Sequence, residues 1–269
     1  MAIRMKTDVL SKQPKPSKQS RNTLSRTTRP HDLDGIPLLS ILSGPARQRM
    51  LQELTEAHYS KGDFIFREGD PTEYVHIVKT GTVKCVKSTA EGKECTLKML
   101  MPGDLFCCDV AAFNGASHPG SAQPMGDVSI LRMSKTAYFE MLQRNPNAAI
   151  EVIKYLGNRL NEAQEKTKDL ALDRADRRLA SLLVDLATRN GITEPAGIRL
   201  TVRMTRQDMA NMVGVTTETA IRTMSRFKRD RLVSGIASCL LIRDLPGLKA
   251  LPSGSSPPRS SAVSIDRRT

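Results

Sequence analysis

Between Lys61 and Met133 the apolar residues fall in short or alternating runs, FIF, YVHIV, TVKCV, CTLKML and VSILRM. Glycine-containing turns separate them, at KGD, REGD, KTG, AEGKE and MPGD. Short strands punctuated at roughly 8–12-residue intervals predict a sandwich or barrel, so this portion reads as all-β. Short helical patterns precede it, from about Ser40 to Ser60. After it the period becomes helical. Ser134 is placed to cap a short helix through Leu142, and Asn145-Pro146 marks the next helix start. That helix runs from about Asn147 to Leu172. Along it Ile153, Leu156, Leu160, Ala163, Thr167 and Leu170 recur at alternating spacings of three and four. Such a stripe is a coiled-coil seam, weakened by Ala163 and Thr167. The alternative is a helix packed on its own β-domain; the polar flanks Lys154, Asn158, Glu162, Glu165 and Lys166 favour a dimer seam. At ~1.5 Å per residue the rod would be nearly 40 Å long, to order of magnitude.

Asp173 to Arg189 predicts a further helix with Leu179, Leu182, Leu183 and Leu186 on its buried face. GITEPAG reads as a loop and Ile198–Val202 as a short strand. The sharpest segment follows, MTRQDMANMVGVTTETAIRTMSRFKRDRLV, from Met204 to Val233. Thr205 with Asp208 three residues on resembles a capping box, with Asp in the place of Glu or Gln. Met209, Met212 and Val213 give that helix one apolar face, Gly214 supplies a tight turn and Val215 packs inward. Thr216 caps a second helix whose Ala220, Thr223, Met224 and Phe227 face the core. Two short helices joined through a glycine-containing turn are a helix-turn-helix signature. Thr217, Glu218, Ile221 and Arg222 then point outward at the start of the second helix, where such a motif meets base edges. Glu accepts from cytosine N4 and Arg donates to guanine O6 and N7, so Glu218 and Arg222, four apart, can read one G·C pair jointly. An exposed ion pair at that spacing needs no DNA. Gly214, both caps and the following Arg226, Lys228, Arg229 and Arg231 decide for DNA. Beyond them LVSG…SCLLIRDLPGL gives two short strands with a turn around Ser234–Ser238, as a wing requires, its base covered by Leu245 and Leu248.

Charge sharpens this picture. The 269 residues carry 41 Lys+Arg against 28 Asp+Glu, a net charge of +13, and such an excess favours polyanionic partners through counterion release. No stretch approaches the roughly 20 apolar residues of a membrane span, and the basic N-terminus lacks the apolar core of a secretory signal. The protein is therefore expected to be soluble and cytoplasmic, without a membrane partner. Five scattered cysteines make no disulfide framework. Trp is absent and aromatics form 4% of the chain, too few for a stacking platform on single strands. Residues 1–32 and 252–269 are rich in polar, basic and Pro residues and read as disordered tails.

KGDFIFREGD, VHIVKTGTVKCVK, EGKECTLKMLMPGDLF and MTRQDMANMVGVTTETAIR, in that order, resemble the CRP/FNR family of bacterial regulators (cyclic-AMP receptor protein and fumarate–nitrate regulator). The resemblance covers about residues 33–251. It implies an α+β fold: a double-stranded β-helix, or cyclic-nucleotide-binding-like β-roll, at 33–145, a dimerisation helix at 146–172 and a winged helix-turn-helix at 173–251. It implies a transcriptional regulator that binds double-stranded DNA as a homodimer, on a pseudo-palindrome with one turn between recognition helices. The expected DNA contacts are Thr205, Arg206, Gln207, Thr216, Thr217, Glu218, Ile221, Arg222 and Arg226. Thr217 stands where the cyclic-AMP receptor has Arg, and Ile221 where the fumarate–nitrate type has Ser, so the half-site should differ from both. The wider family includes activators that touch RNA polymerase.

The expected effector pocket is Leu105, Phe106, Cys107, Cys108, Asp109, Gly120, Ser121 and Ala122. In the family's cyclic-nucleotide binders a Gly-Glu pair holds the ribose and an Arg-Ala or Arg-Ser pair clamps the phosphate. Here FCCDV puts Cys107 and Cys108 at the first place, and HPGSAQPM has no Arg at the second. A cyclic phosphate would lose charge-assisted hydrogen bonds worth roughly 1.5–3 kcal/mol each, which disfavours cyclic AMP. Asp109, one position late, could stand in for the Glu, and nothing replaces the Arg. Residues 1–84 contain no cysteine, against an iron–sulfur sensor. Cys95, on the preceding strand, could approach Cys107 and Cys108 as a redox or soft-metal trio, although free cysteine is often a small buried hydrophobe. His31, His58, His76 and His118 are each isolated, giving no preferred haem ligand. The cofactor stays open. No H-x-H or H-x-D pair, Gly-rich phosphate loop, nucleophile elbow or H-E-x-x-H supports an enzyme. A regulatory module acting through protein partners is the remaining alternative.

Overall fold

The computed structural model describes Ile36, Leu42 and residues 44–110, 115–236 and 239–251; both predicted tails and His31 lie outside these. Among the described residues the first helix is α1 (Gly44–Glu53). The β-roll follows as β1 (Thr55–Tyr59), β2 (Tyr74–Thr80), β3 (Val83–Ser88), β4 (Glu94–Leu100), β5 (Leu105–Phe106), β6 (Ser121–Pro124) and β7 (Val128–Ser134). It forms a four-stranded sheet in the order β1-β7-β2-β5 and a three-stranded sheet in the order β4-β3-β6. Ala57, Val78, Val83, Leu100, Phe106, Ala122 and Ile130 are buried in one cluster, as the alternation along the strands requires. Two expectations need correction. TEAHY lies inside the stretch read as helical but is β1, paired with β7. FIF contributes only an isolated bridge, Phe66 to Ala122.

Ser134 Oγ accepts from Ala137 N at 3.2 Å and caps α2 (Lys135–Arg144). Pro146 opens α3 (Pro146–Leu172), at the one helical turn where its missing N–H costs nothing. Ala148 and Val152 of α3 bury against the sensor domain, in a cluster with Tyr138, Leu131 and Leu105. Asp173, in extended conformation, ends α3. Then come α4 (Ala175–Asn190), β8 (Gly191–Glu194), β9 (Gly197–Leu200), α5 (Arg206–Val213), α6 (Thr217–Arg229), β10 (Val233–Ile236), β11 (Cys239–Ile242) and α7 (Leu245–Lys249). The last sheet has the order β10-β11-β9-β8, so the wing strands join a second hairpin.

That second hairpin overturns the reading of GITEPAG as a loop. Its glycine is there for close packing: a Cβ on Gly191 would meet Ala187 O and the Ile198 side chain at 2.3 Å. Gly and Pro thus mark the two ends of strand β8 rather than an irregular segment. Leu179, Leu183, Leu186, Met209, Val213, Met224 and Phe227 form the C-terminal core, closed below by buried Leu248 and half-buried Leu245. Met99 and Met101, from β4 and the residue beyond it, belong to this same cluster. Among the described residues no helix is long and apolar enough to cross a membrane.

Candidate nucleic-acid interface and sensor cavity

The helix-turn-helix is fixed by local hydrogen bonds. Thr205 Oγ1 accepts from Asp208 N at 3.0 Å, and Asp208 Oδ2 accepts from Thr205 N at 2.9 Å, a reciprocal cap. Gly214 sits at φ 67°, ψ 46°, the left-handed region that other residues enter at a cost. Thr216 Oγ1 accepts from Thr219 N at 3.2 Å to start α6. Buried Ala220, Thr223, Met224 and Phe227 anchor the helix. Glu218, Ile221 and Arg222 are exposed on its outer side, as are Arg229 and Arg231 beyond.

The remaining expected DNA contacts are not all free side chains. Thr205 and Thr216 are the two caps. Thr217 donates its hydroxyl to Gln207 Oε1, and Gln207 Nε2 donates to Asn211 Oδ1 at 2.6 Å. Half-buried Arg206 opens α5. Arg226 donates to Asp176 Oδ2 at 2.7 Å, tying α6 to α4. Burial raises the Asp176 carboxyl, but hydrogen bonds from Arg226 and the Arg177 backbone leave it below its ordinary value.

A polar junction missed by the sequence reading joins this motif to the β-roll. Lys84 Nζ on β3 donates to Glu94 Oε1 on β4 at 3.0 Å and to Asp208 Oδ1 on α5 at 3.1 Å. Asn211 Nδ2 donates to the same Glu94 Oε1 at 3.3 Å. Hydrogen bonds therefore run from Glu94 through Asn211 and Gln207 to Thr217. A second node is Asp104 in the MPGD turn. Its Oδ2 accepts from Arg189 Nη2 of α4 at 2.7 Å and lies 3.5 Å from Arg159 Nη2 of α3. Arg178 Nη1 donates to Leu170 O at 3.1 Å and Nη2 to Gly214 O at 3.4 Å. No sequence motif marks these pairs, because their partners are remote in the chain.

Between β-roll, α3 and α4 lies a cavity of about 1250 Å³. Phe106, Cys107, Asp109 and Gly120 of the expected pocket line it. Leu105 and Cys108 pack instead in the cluster with α2 and α3. Ser121 Oγ accepts from Glu68 N at 3.0 Å, and Ala122 pairs with Cys85 in the sheet. Cys107 has φ 66°, and its Sγ is 3.6 Å from His118 Nδ1. The His118 ring stacks on Phe66 with centroids 3.6 Å apart. Burial pushes the Cys107 thiol up and lowers His118. His76, fully buried and stacked on Phe106 at 4.9 Å, is pushed down to about 3 by burial.

The expected trio of Cys95, Cys107 and Cys108 is not assembled. Cys95 is exposed, Cys107 faces the interior of the roll and Cys108 the helical cluster. Among the described residues no three His, Cys, Asp or Glu are placed to hold a metal. Nor is the cavity without cations: Lys98, Arg159, Lys166, Arg178 and Arg189 line it, together with Asp109, Glu162, Glu165, Asp169 and Asp185. The cations that the HPGSAQPM segment lacks arrive from β4, α3 and α4.

Along α3, Ile153 is 67% exposed, Leu160 60% and Leu170 44%. Leu156 is half-buried; Ala163 and Thr167 are exposed, with Thr167 Oγ1 bonded to Ala163 O at 2.9 Å. The expected seam is thus largely exposed, while Leu156, Leu160, Ala163 and Leu170 also line the α3 wall of the cavity.

Residues 56–145 match the cyclic nucleotide-binding domain and residues 177–251 the Crp-like helix-turn-helix domain, between them more than half of the chain. The chain is 25% identical over 195 residues to the CRP-like cAMP-activated global transcriptional regulator of Mycobacterium tuberculosis, covering 72% of this chain and 87% of that protein. It is 28% identical over 201 residues to the nitrogen fixation regulation protein FixK of Azorhizobium caulinodans, covering 74% and 79% of the two. Among solved structures, a CooA mutant from Carboxydothermus hydrogenoformans superposes with a TM-score of 0.64 at 27% identity, over 84% of this chain and 96% of that one.

Proposed function

The chain belongs to the CRP/FNR family of bacterial transcriptional regulators, DNA-binding proteins, and on that premise we propose that it binds a pseudo-palindrome as a homodimer. One observation carries the reading. Glu218 and Arg222 are exposed together at the start of α6, while Thr223, Met224 and Phe227 bury its other side. A free carboxylate and guanidinium one helical turn apart match the acceptor and donor that a G·C pair requires in the major groove. The dimer part of the proposal rests on the exposed stripe from Ile153 to Leu170, which a second copy would cover. The expected site of action is the cytoplasm, and no chemistry on a substrate is assigned.

The signal enters, on this reading, at the cavity. Its walls come from the β-roll, from α3 and from α4, so a ligand there would touch every element that the Asp104 node connects. Control then consists in different effector affinities for two arrangements of α3 and the DNA-binding domain. Cyclic AMP is not the expected effector, because the HPGSAQPM segment has no Arg at the family's phosphate clamp and the cavity's cations come from other elements, β4, α3 and α4.

In-vitro selection of bound DNA from a random pool, at two salt concentrations, tests this. The expected result is a palindromic motif whose G·C preference disappears with Glu218→Ala or Arg222→Ala, each at a cost of about 1–3 kcal/mol. Salt-sensitive binding with no motif would reduce the proposal to nonspecific association. No binding at low salt would move the function to a protein partner.

A further inference from the structure

Strand β4 turns a lysine toward the inside of the roll. Val83 pairs with Leu100 and both are buried in the roll, whereas Lys84 pairs with Met99 and both face the DNA-binding domain. Beyond them the ladder slips: Cys85 pairs with Lys98 and Val86 with Thr96, which leaves Leu97 as a β-bulge. Without the bulge Leu97 would oppose Cys85, and Lys98 would oppose Lys84. The extra residue exchanges the two. Leu97 is 46% exposed, while Lys98 stands beside buried Cys85 on the inner face, since directly opposed residues share a face. Ala122, from the segment without an Arg, completes that row through Cys85. Bulges re-aim side chains next to functional sites. This one is gripped from α3, whose Lys166 Nζ donates to Thr96 O at 2.8 Å and to Leu97 O at 3.1 Å.

Of the cations that line the cavity, Arg159 and Arg189 meet Asp104, and Lys166 and Arg178 donate to carbonyls. Half-buried Lys98 makes no hydrogen bond or ion pair to another described residue. Its charge is felt inside the roll: burial raises the Cys85 and Cys107 thiols, and Lys98 pulls both back. A cation drawn out of water without a counter-ion is costly, and Leu97, Phe106 and Leu156 make the walls around it apolar. A single ammonium lacks the guanidinium fork that matches a phosphate. It suits one negative charge, and a carboxyl group, unlike a phenol, carries that charge at neutral pH. We propose that Lys98 is the anion anchor of the cavity, and that the effector it admits is a monocarboxylic acid with an apolar body. The inference rests on the reading of the cavity as the signal's entry, and adds to it the class of ligand. The next residue, Met99, belongs to the C-terminal core, so an anion on Lys98 acts on the strand that joins sensor to reader.

Calorimetric titration of the full-length chain tests this, with decanoate and 2-naphthoate as an aliphatic and an aromatic acid. Decanol and 2-naphthol serve as their uncharged counterparts, and cyclic AMP as the phosphate control. At least one acid should saturate, and more tightly than its counterpart. Lys98→Met keeps the aliphatic stem and should weaken that acid at least about tenfold, the effect of one charge-assisted hydrogen bond. Lys98→Arg should keep most of the affinity. Lys98→Met should melt no lower than the wild type, because it removes an unpaired charge, so a lost acid is not a lost fold. Neither acid binding, an acid held equally by Lys98→Met, or cyclic AMP held more tightly than both acids would overturn the inference. Anisotropy on the selected DNA separates it from the reading beneath it. An acid held by Lys98 that leaves DNA affinity unchanged keeps the inference and removes the cavity as the signal's entry. An uncharged counterpart that alters DNA affinity while neither acid binds does the reverse.

Discussion

Lys84 Nζ lies 3.1 Å from Asp208 Oδ1, an ion pair that spans 124 positions of sequence and joins the β-roll to the first helix of the DNA-binding motif. Only 15% and 16% of these side chains is exposed, so the pair is shielded far better than a surface salt bridge. The same ammonium holds Glu94, and Asp208 is also half of the α5 cap. One side chain on β3 thereby touches the groups that hold the sensor hairpin and α5 together.

Lys84→Met should loosen this docking. The substitution leaves Glu94 and Asp208 facing each other without a counter-charge, a loss of about 1–3 kcal/mol. Limited proteolysis should cut near Asp173 faster than in the wild type, with the β-roll and the C-terminal core each still protected. Unchanged cleavage would mean that the apolar contacts alone fix the domains. The pH dependence has two limbs. Burial raises the Asp208 carboxyl, but Thr205 and Lys84 outweigh it and leave it lowered; its contribution is present above the ordinary carboxylate value and fades as pH falls through the lowered one. Burial likewise opposes charge on Lys84, but Glu94 and Asp208 raise it overall; that contribution persists below its ordinary value and is lost at higher pH still.

His76 predicts an acid sensitivity of the β-roll. Burial, with smaller effects from His118 and Arg132, drops its folded value from 6.5 to about 3. The unfolded chain therefore takes up a proton between those values that the folded chain does not, and stability rises with pH across that window. Below about pH 6.5 the wild type should lose up to roughly 1.4 kcal/mol per pH unit from this group. Denaturant titrations at several pH values should show a shallower dependence in His76→Phe.

At Gly214 the backbone has φ 67°, and an added Cβ would sit 3.1 Å from the Leu170 side chain. Gly214→Ala should cost about 1–2 kcal/mol from the left-handed conformation alone, read as a lower melting temperature. Asparagine, which tolerates this region better, should do less harm there.

The exposed stripe of α3 gives a separable prediction. Leu160→Glu should yield monomers in sedimentation experiments without lowering protomer stability, because Leu160 is 60% exposed in the single chain. If the variant remains dimeric, the seam lies elsewhere.

Much of this was legible because it is local. Thr205, Asp208, Gly214 and Thr216 act within a few residues of themselves, so their caps and turn follow from spacing. Ser134 and Pro146 delimit helices for the same reason. What escaped is long-range. TEAHY has too few large apolar residues to declare a strand, and its pairing with β7 supplies what its composition does not. Cys95 sits in β4 beside buried Thr96, and alternation along the strand turns it outward, away from Cys107. The cations of the cavity come from α3 and α4, whose placement no motif encodes.

Met99 and Met101 leave a different mark on the molecule. Strand β4 and the residue after it are sensor sequence, yet these two side chains complete the hydrophobic cluster of the DNA-binding domain. The chain cannot then be cut at Asp173 into interchangeable parts, as beads on a string could be. A graft that places a foreign reading head on this sensor, or this head on a foreign sensor, inherits a vacancy where two methionines belonged. Sensor and reader are bound to vary together, and a compatible exchange must carry β4 along with the helix-turn-helix.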